Sequence, residues 1–131
     1  MNLLTILVAA LVAMVVGAIY YAPPIFGNYW MKLTGLKMTY MKKDTVWVMY
    51  LLTFAAAIVM TYVLSFLMGF LQTRSVGEAI KLAFWVWLGF VLTTSLTNAL
   101  YSRKPLKLFF LENGHHLLVM IVVSVILALW K

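Results

Sequence analysis

A chain of 131 residues in which 66% are hydrophobic and 10% are charged has too few polar side chains to cover a water-soluble surface, because soluble domains usually carry about 25% charged residues. The composition predicts an integral membrane protein. The net charge of +7 comes from Lys and Arg in short loops between apolar runs, which is typical of contacts with the lipid bilayer and predicts no nucleic-acid partner. The absence of cysteine excludes disulfides and thiol catalysis.

Four apolar segments follow one another along the chain and predict four transmembrane helices. The first has 20 uncharged residues, or about 30 Å of helix, which matches one hydrocarbon core. No basic residue precedes it, so we expect a retained helix rather than a cleaved signal peptide. The fourth must begin near Leu106, because the apolar run 117–130 alone is too short to cross. We predict one all-α domain over 1–131, a four-helix transmembrane bundle with helices at 3–22, 45–73, 82–102 and 106–130.

The basic residues predict the orientation of this bundle. The loops 23–44 and 103–107 carry four and three basic residues, against three on the opposite side. Because cytoplasmic loops are enriched in Lys and Arg, we expect both loops in the cytoplasm and both termini outside, in a multi-pass protein of the cell membrane. The basic residues expected to contact lipid headgroups are Lys32, Lys37, Lys42, Lys43, Arg103 and Lys104.

Small residues recur at every fourth position in three of the predicted spans. In lipid such rows allow helix backbones to come close, and ordinary packing is a commoner role for them than a pore lining. Short loops also make consecutive helices antiparallel neighbours. The rows are Ala9, Ala13 and Gly17; Thr53, Ala57, Thr61, Ser65 and Gly69; and Gly89, Thr93 and Thr97.

A polar cluster begins the fourth predicted helix. Glu112 and His116 are one turn apart and can touch. Ionisable residues inside a membrane cost at least about 2.5–3.5 kcal/mol each when charged, so they usually have a function. The alternative is an acid near the headgroups, neutralised by Lys107 or Arg103. We also expect Asn98 to form a hydrogen bond near Glu112. The candidate cluster is Glu112, His116, His115, Asn113, Asn98 and Thr97.

Three kinds of chemistry fit this cluster. A Glu–His pair in low dielectric has coupled titrations and can act as a proton switch. Glu112 and His115 match the Glu-x-x-His spacing of di-iron bundles, so Glu112, His115 and His116 are candidate metal ligands, although two metals would need a symmetric oligomer. Two histidines could hold haem across an interface, but no other residue supports this. We predict no metal and no cofactor.

The first loop is rich in aromatic residues, proline and glycine. Pro23 and Pro24 must end the first helix. The aromatic side chains are too apolar to remain in water, so the segment either folds over the cytoplasmic mouth of the bundle, close to Glu112 and His116, or anchors the protein at the interface. The candidate mouth residues are Tyr21, Pro23, Phe26 and Trp30.

The order of several short patterns resembles the bacterial and fungal membrane family known as domain of unknown function 1761. The resemblance covers nearly the whole chain and implies a four-helix membrane protein, with no particular activity. In that family an acid or amide stands at the position of Glu112, and a tyrosine stands where this chain has His115. The matching residues are Tyr20, Tyr21, Ala22, Pro23, Phe26, Gly27, Trp30 and Gly35; Trp87, Gly89, Phe90, Asn98 and Arg103; and Leu106, Lys107, Leu108, Phe109, Gly114, His116 and Trp130.

Three functions remain open from the sequence. We favour a homo-oligomeric transporter or channel for a small ion or molecule, in which polar faces of the third and fourth helices meet across a symmetric interface. A membrane enzyme is the first alternative; it would use the same cluster on a lipid-like or quinone-like substrate and would need a lateral opening. An accessory or scaffold subunit, whose polar groups only join helices, is the second.

Overall fold

The computed structural model describes residues 3–34 and 43–130, and every regular element in these ranges is helical. Four helices in this part of the chain are long and apolar enough to cross a membrane. The elements are α1 (Leu3–Tyr20), a π-helical turn (Pro23–Gly27), α2 (Asn28–Thr34), α3 (Lys43–Phe70), α4 (Val76–Val86), a second π-helical turn (Trp87–Leu92), α5 (Thr93–Tyr101) and α6 (Leu106–Leu129).

The third span (Val76–Tyr101) is one continuous helix made of α4, the second π-helical turn and α5. It begins six residues before the predicted start at 82, because polar groups cap it. The Ser75 side chain accepts a hydrogen bond from the Glu78 backbone N–H at 3.1 Å, and Glu78 Oε2 accepts one from the Arg74 N–H at 3.2 Å. Our requirement for an uncharged run therefore placed the start too late, since Glu78 and Lys81 lie inside the helix.

Two helices end in the same way, although neither end has a glycine. Gln72 after α3 and Arg103 after α5 have positive φ angles of 54° and 57°. Behind them, Thr73 N–H bonds Met68 O at 2.8 Å and Lys104 N–H bonds Ala99 O at 3.0 Å. These are the hydrogen bonds of a Schellman cap, which satisfies the last carbonyls of a helix and reverses the chain. The second cap brings the Lys104 side chain beside α6.

The order of the helices in space differs from their order in sequence. α6 packs on α1 on one side and on α4 on the other, and α3 packs on α1. The contacts of α3 with α4 and with α6 are few. Of the three consecutive pairs of spans, the second and third therefore share the fewest contacts, and Leu64 and Met68 meet Ala79 and Ala83 in one buried cluster. The α6 helix contacts each of the other three spans.

Close packing is concentrated at the end of the bundle where α3 meets α4. We call this the packed half; in α3 and α4 every fully buried apolar side chain of the described residues lies here. At the other end, which we call the open half, residues 14–20 of α1 and 47–60 of α3 include no fully buried side chain. The α6 helix also contacts α2 and α5. Buried residues of the packed half are Ile6, Ala9, Ala10 and Ala13; Leu64 and Met68; Ala79 and Ala83; and Met120, Val123 and Leu127.

Candidate functional site at the open end of the bundle

Glu112 forms an ion pair with Lys104, which the sequence analysis did not predict as its partner. Lys104 Nζ lies 3.6 Å from Glu112 Oε2, with 35% and 27% of the two side chains exposed. We expected Arg103 or Lys107 to neutralise this acid. The left-handed conformation of Arg103 turns the chain so that Lys104 faces α6 instead. A pair this exposed contributes up to about 1 kcal/mol.

His115 packs between two tyrosines at the end of α1. Its ring centroid lies 5.3 Å from that of Tyr20 and 5.0 Å from that of Tyr21. The Nε2 atom is buried and forms no hydrogen bond with a described residue. It faces Gly17, where a Cβ atom would lie 3.0 Å from it. Gly17 therefore makes room for the imidazole, and His115 is part of the contact between α1 and α6.

Tyr20 fastens the same two helices with its hydroxyl group. It donates a 2.7 Å hydrogen bond to the backbone carbonyl of Leu111. That carbonyl lies one turn before His115, which also touches the Tyr20 ring. Gly114 allows this, since a Cβ there would lie 3.1 Å from the Tyr20 oxygen. The end of α1 is thus held on α6 by a hydrogen bond and by two rings that fit against glycines.

Asn113 joins α6 to the third span. It is 1% exposed, and its Nδ2 donates to Ser95 Oγ at 2.9 Å and to Phe109 O at 2.8 Å. Its backbone carbonyl accepts from Trp87 Nε1 at 2.9 Å. Trp87 begins the second π-helical turn, an irregularity that is often found at functional positions. Asn113 is therefore an interhelical hydrogen-bonding residue, whose Oδ1 is buried without a described partner.

Asn98 and Thr97 do not join this arrangement. Both side chains are exposed on α5. Asn98 Oδ1 accepts a hydrogen bond from Ser102 Oγ at 3.1 Å, and the Thr97 hydroxyl donates to Thr93 O at 3.1 Å. The expected bond between Asn98 and the Glu112 region is replaced by the one from Asn113 to Ser95.

His116 is exposed although it lies on the inward stripe of α6. The stripe continues through Met120, Val123 and Leu127, which are 3%, 0% and 7% exposed in the packed half. His116 and Glu112 belong to the same stripe, one and two turns earlier, where His116 is exposed and Glu112 is partly exposed. Among the described residues Glu112 has its ion pair with Lys104 and none with a histidine. The stripe thus changes from apolar and covered to polar and accessible.

The described part of the first loop, residues 23–34, folds back onto this end of the molecule and is helical. Its π-helical turn is closed by a bond from Gly27 N–H to Ala22 O at 2.9 Å. Only glycine fits at 27, because a Cβ would lie 2.3 Å from the carbonyl oxygen of Tyr21. The turn brings the Phe26 ring to 4.6 Å from Tyr20, and Trp30 lies 6.4 Å from Tyr21. The α2 helix packs on α6.

Tyr21 connects the folded loop with the acid of the site. Burial, followed by the Glu112 carboxylate and Tyr20, raises the pKa of the Tyr21 hydroxyl far above its usual range. The Tyr21 hydroxyl therefore lies near the Glu112 carboxylate, and it is protonated at neutral pH as an ordinary tyrosine is. Tyr21, Phe26 and Trp30 lie together as one aromatic group with Tyr20.

Several residues that the sequence predicted to contact lipid or to line the mouth lie away from the site, and the structure does not describe others. Lys32 and Arg103 are exposed. Lys37 and Lys42 lie outside the described residues, and the side chains of Pro23 and Lys43 are not described. Within 3–34 and 43–130 no three His, Asp or Glu side chains are grouped to hold a metal ion, so Glu112, His115 and His116 form no such set.

Sequence reasoning missed three residues that shape the site: Tyr20, Trp87 and Ser95. Tyr20 and Trp87 stand in the family-like patterns, but neither pattern indicates a hydrogen bond to the backbone of α6. Ser95 is one of several hydroxyl residues in the third span. Which of them bonds Asn113 depends on the face that this helix turns toward α6, and the sequence does not indicate that face.

The described residues form an all-helical protein with four helices long and apolar enough to cross a membrane, and with polar residues at one end of α6. The model of the family described as protein of unknown function (DUF1761) matches residues 4–128, and the chain belongs to this family. The family expected from the sequence is thereby confirmed. No curated protein and no solved structure matches the chain significantly.

Proposed function

We propose that the protein is a multi-pass protein of the cell membrane with both termini outside, so that the open half faces the cytoplasm. The sequence ranges 23–44 and 103–107 carry seven basic residues, against three between the predicted second and third spans and at the last residue. This asymmetry supports the orientation, because cytoplasmic loops are enriched in Lys and Arg. Tyr20, Tyr21 and Trp30 near the same end fit an interfacial aromatic belt.

In that orientation the protein acts as a small transporter or channel whose path begins in the open half. The exposure of His116 on the inward stripe of α6 is the observation that carries this proposal. A histidine facing lipid alone would be costly, whereas a histidine lining a water-filled opening is a common feature of ion and proton paths. In the packed half, Leu64 and Met68 of α3 belong to the same buried cluster as Met120 and Val123 of the stripe, whereas residues 47–60 of α3 include no fully buried side chain.

The charges around His116 suggest how protons act on the path. Histidine is the side chain whose charge most readily changes between about pH 5 and 8. Glu112 lies one helical turn away and is paired with Lys104 at 3.6 Å. A proton on His116 gives Glu112 a second cationic partner at the spacing of an i, i+4 pair. Protonation of His116 then weakens the ion pair between Lys104 and Glu112. That pair connects the loop before α6 with the mouth of the open half.

Reconstituted protein in liposomes tests this function. We would compare the flux of protons and a panel of ions for wild type, Glu112→Gln and His116→Ala. Lys107→Ala is the matched control, because Lys107 is an exposed cation at the same end and outside the Lys104–Glu112 pair. Flux by wild type and by the control, with loss of at least tenfold in both site variants at equal insertion, supports the proposal. No wild-type flux above empty liposomes, or equal flux in all variants, contradicts it.

A scaffold or accessory subunit is the second candidate, and Asn113 favours it. This fully buried polar residue uses its amide for Ser95 and Phe109, and its carbonyl accepts from Trp87. Such bonds are those of interhelical contacts rather than of a path. Absence of flux together with co-purification of one membrane protein in stoichiometric amount favours this candidate.

A further inference from the structure

One face of the third span is exposed along its second half and carries most of the polar side chains of that helix. We call it the outward face. Within the most apolar stretch of the third span 11% of residues are buried, against 39% for α6. The helix with the least cover thus has several hydroxyl and amide groups on its outside. The outward face consists of Gly89, Phe90, Thr93, Thr94, Thr97, Asn98 and Tyr101.

The hydrogen bonds within this face leave unused capacity. The hydroxyls of Thr93 and Thr97 donate to Gly89 O at 2.8 Å and to Thr93 O at 3.1 Å, so each oxygen can still accept. Asn98 uses its Oδ1 for Ser102, and its amide N–H groups have no partner among the described residues. Lipid tails offer neither donors nor acceptors, so polar groups in a bilayer need partners from protein. The face therefore has both donors and acceptors to offer to another helix.

The backbone of this face is also accessible. A Cβ atom added at Gly89 would meet nothing within 4 Å, in contrast to Gly17, which is filled by His115. Gly89, Thr93 and Thr97 are four residues apart, the spacing at which small residues let two membrane helices cross closely. We expected this row to pack within one bundle, but its members are exposed, so the close crossing is not used inside the protomer.

We propose that two copies of this chain associate through the outward face, about a two-fold axis perpendicular to the membrane. In such a parallel pair each polar side chain meets its own counterpart at the same depth, because both copies insert alike. Hydroxyl and amide groups are each donor and acceptor, so a face made of them complements itself. It carries no charged residue, and therefore two copies do not repel each other here.

The fourth helix does not take part in this interface, contrary to the symmetric contact of third and fourth helices that the sequence suggested. Its polar residues Asn113 and Ser124 are 1% and 0% exposed inside the protomer. The proposed dimer is independent of transport, because its contacts lie on the outward face and not at Glu112 or His116. The dimer rests on the membrane insertion proposed above, but a failure of transport leaves the dimer standing, and a failure of the dimer leaves transport standing.

Cysteine cross-linking in native membranes tests the interface. The chain has no cysteine, so one introduced thiol is the only one present. Disulfides form when Cβ atoms come within about 3.5–4.5 Å. Single cysteines at Phe90, Thr93, Thr94, Thr97, Asn98 and Tyr101 would be oxidised, with Leu51→Cys as control, because Leu51 is 65% exposed on another helix. We expect disulfide-linked dimer at those positions that lie on one arc of the helix, and at least fivefold more of it than the Leu51→Cys control forms.

A second variant measures the same contact without a thiol. Gly89→Ile puts a branched side chain into space that is empty in the protomer, so the fold is retained while the two-fold contact is obstructed. In detergent we expect wild type to run at twice the protomer mass, and this variant to dissociate at a concentration at least tenfold higher. Equal cross-linking at Leu51, no cross-linking anywhere on the face, or cross-links only to a different protein overturns the proposal.

Discussion

The packed half and the open half of the bundle differ in what holds their helices together. In the packed half, small and apolar side chains such as Ala9, Ala83 and Val123 lie at 0% exposure, and helices meet backbone to backbone. In the open half, few side chains of α1 and α3 are covered, and individual polar or aromatic contacts join the helices instead. The comparison teaches that apolar burial holds the packed half together, whereas single hydrogen bonds and ring contacts do so in the open half. Glu112 and His116, the ionisable residues of α6 in the proposed site, lie in the open half.

Truncation of one leucine in each half gives the largest expected difference. Leu64 and Leu51 lie on the same helix, but they are 2% and 65% exposed. Leu64→Ala leaves a cavity in the packed half and should lower the free energy of unfolding by about 2–5 kcal/mol. Leu51→Ala should change it by less than about 0.5 kcal/mol, as for other surface changes. Reversible unfolding in mixed micelles measures both, and equal losses would mean that the two halves are equally packed.

Replacement of Asn113 tests whether polar contacts hold the open half. Asn113→Ala removes the amide bonds to Ser95 and Phe109, and should lower the unfolding free energy by about 1–2 kcal/mol, near the upper end for interhelical bonds in membranes. Asn98→Ala is the matched control, since Asn98 is exposed and bonds only Ser102 on its own helix. If Asn98 contributes to the dimer, Asn98→Ala should reduce cross-linking but should not change the unfolding free energy of the protomer. An Asn113 variant as stable as the control would argue against this role.

The fold was largely predictable, because it depends on local composition. Uncharged runs of sufficient length located α1, α3 and α6 to within a few residues. The start of the third span was wrong because Ser75 and Glu78 cap it, and capping extends a helix through charged residues that a hydropathy argument excludes. The described part of the first loop formed helical turns, since the N–H groups of Ile25 and Gly27 both donate to Ala22 O. Composition predicted the number of spans, but not the capped start of the third.

The site was predictable only where residues lie on one helix. Spacing placed Glu112 and His116 on one face of α6, where the structure also has them. Which residues of other helices meet that face depends on helix rotation and on the order in space, and neither has a signal in a single sequence. Asn98 and Thr97 were therefore grouped with Glu112, whereas they lie on the outward face. Tyr20 was missed for the same reason, as its bond to Leu111 spans 91 residues of sequence.

Two glycine substitutions compare a filled position with an open one, and we expect smaller changes in the unfolding free energy from them. At Gly17 a Cβ would lie 3.0 Å from His115 Nε2, so Gly17→Ala must displace the imidazole and should cost about 1 kcal/mol, the low end for overpacking. At Gly69 nothing lies within 4 Å, and Gly69→Ala should stabilise its helix by up to about 1 kcal/mol. The same unfolding assay measures the opposite signs. A neutral Gly17→Ala would mean that His115 is free to move and that α1 and α6 are loosely joined.

The ion pair at the mouth gives the smallest effect on stability, and the one most closely connected to function. Lys104→Ala leaves Glu112 without its partner at 3.6 Å, but both side chains are partly exposed, so the unfolding free energy should fall by less than about 1 kcal/mol. Lys107→Ala is the control, as an exposed cation outside the pair. Because salt screens such pairs over about 8–10 Å, the difference between the two variants should shrink as salt rises from 0.05 to about 1 M. A difference that persists at high salt would indicate that Lys104 contributes by packing rather than by charge. In that case there would be no effective ion pair between Lys104 and Glu112 for protonated His116 to weaken, and the proposed competition would lose its basis.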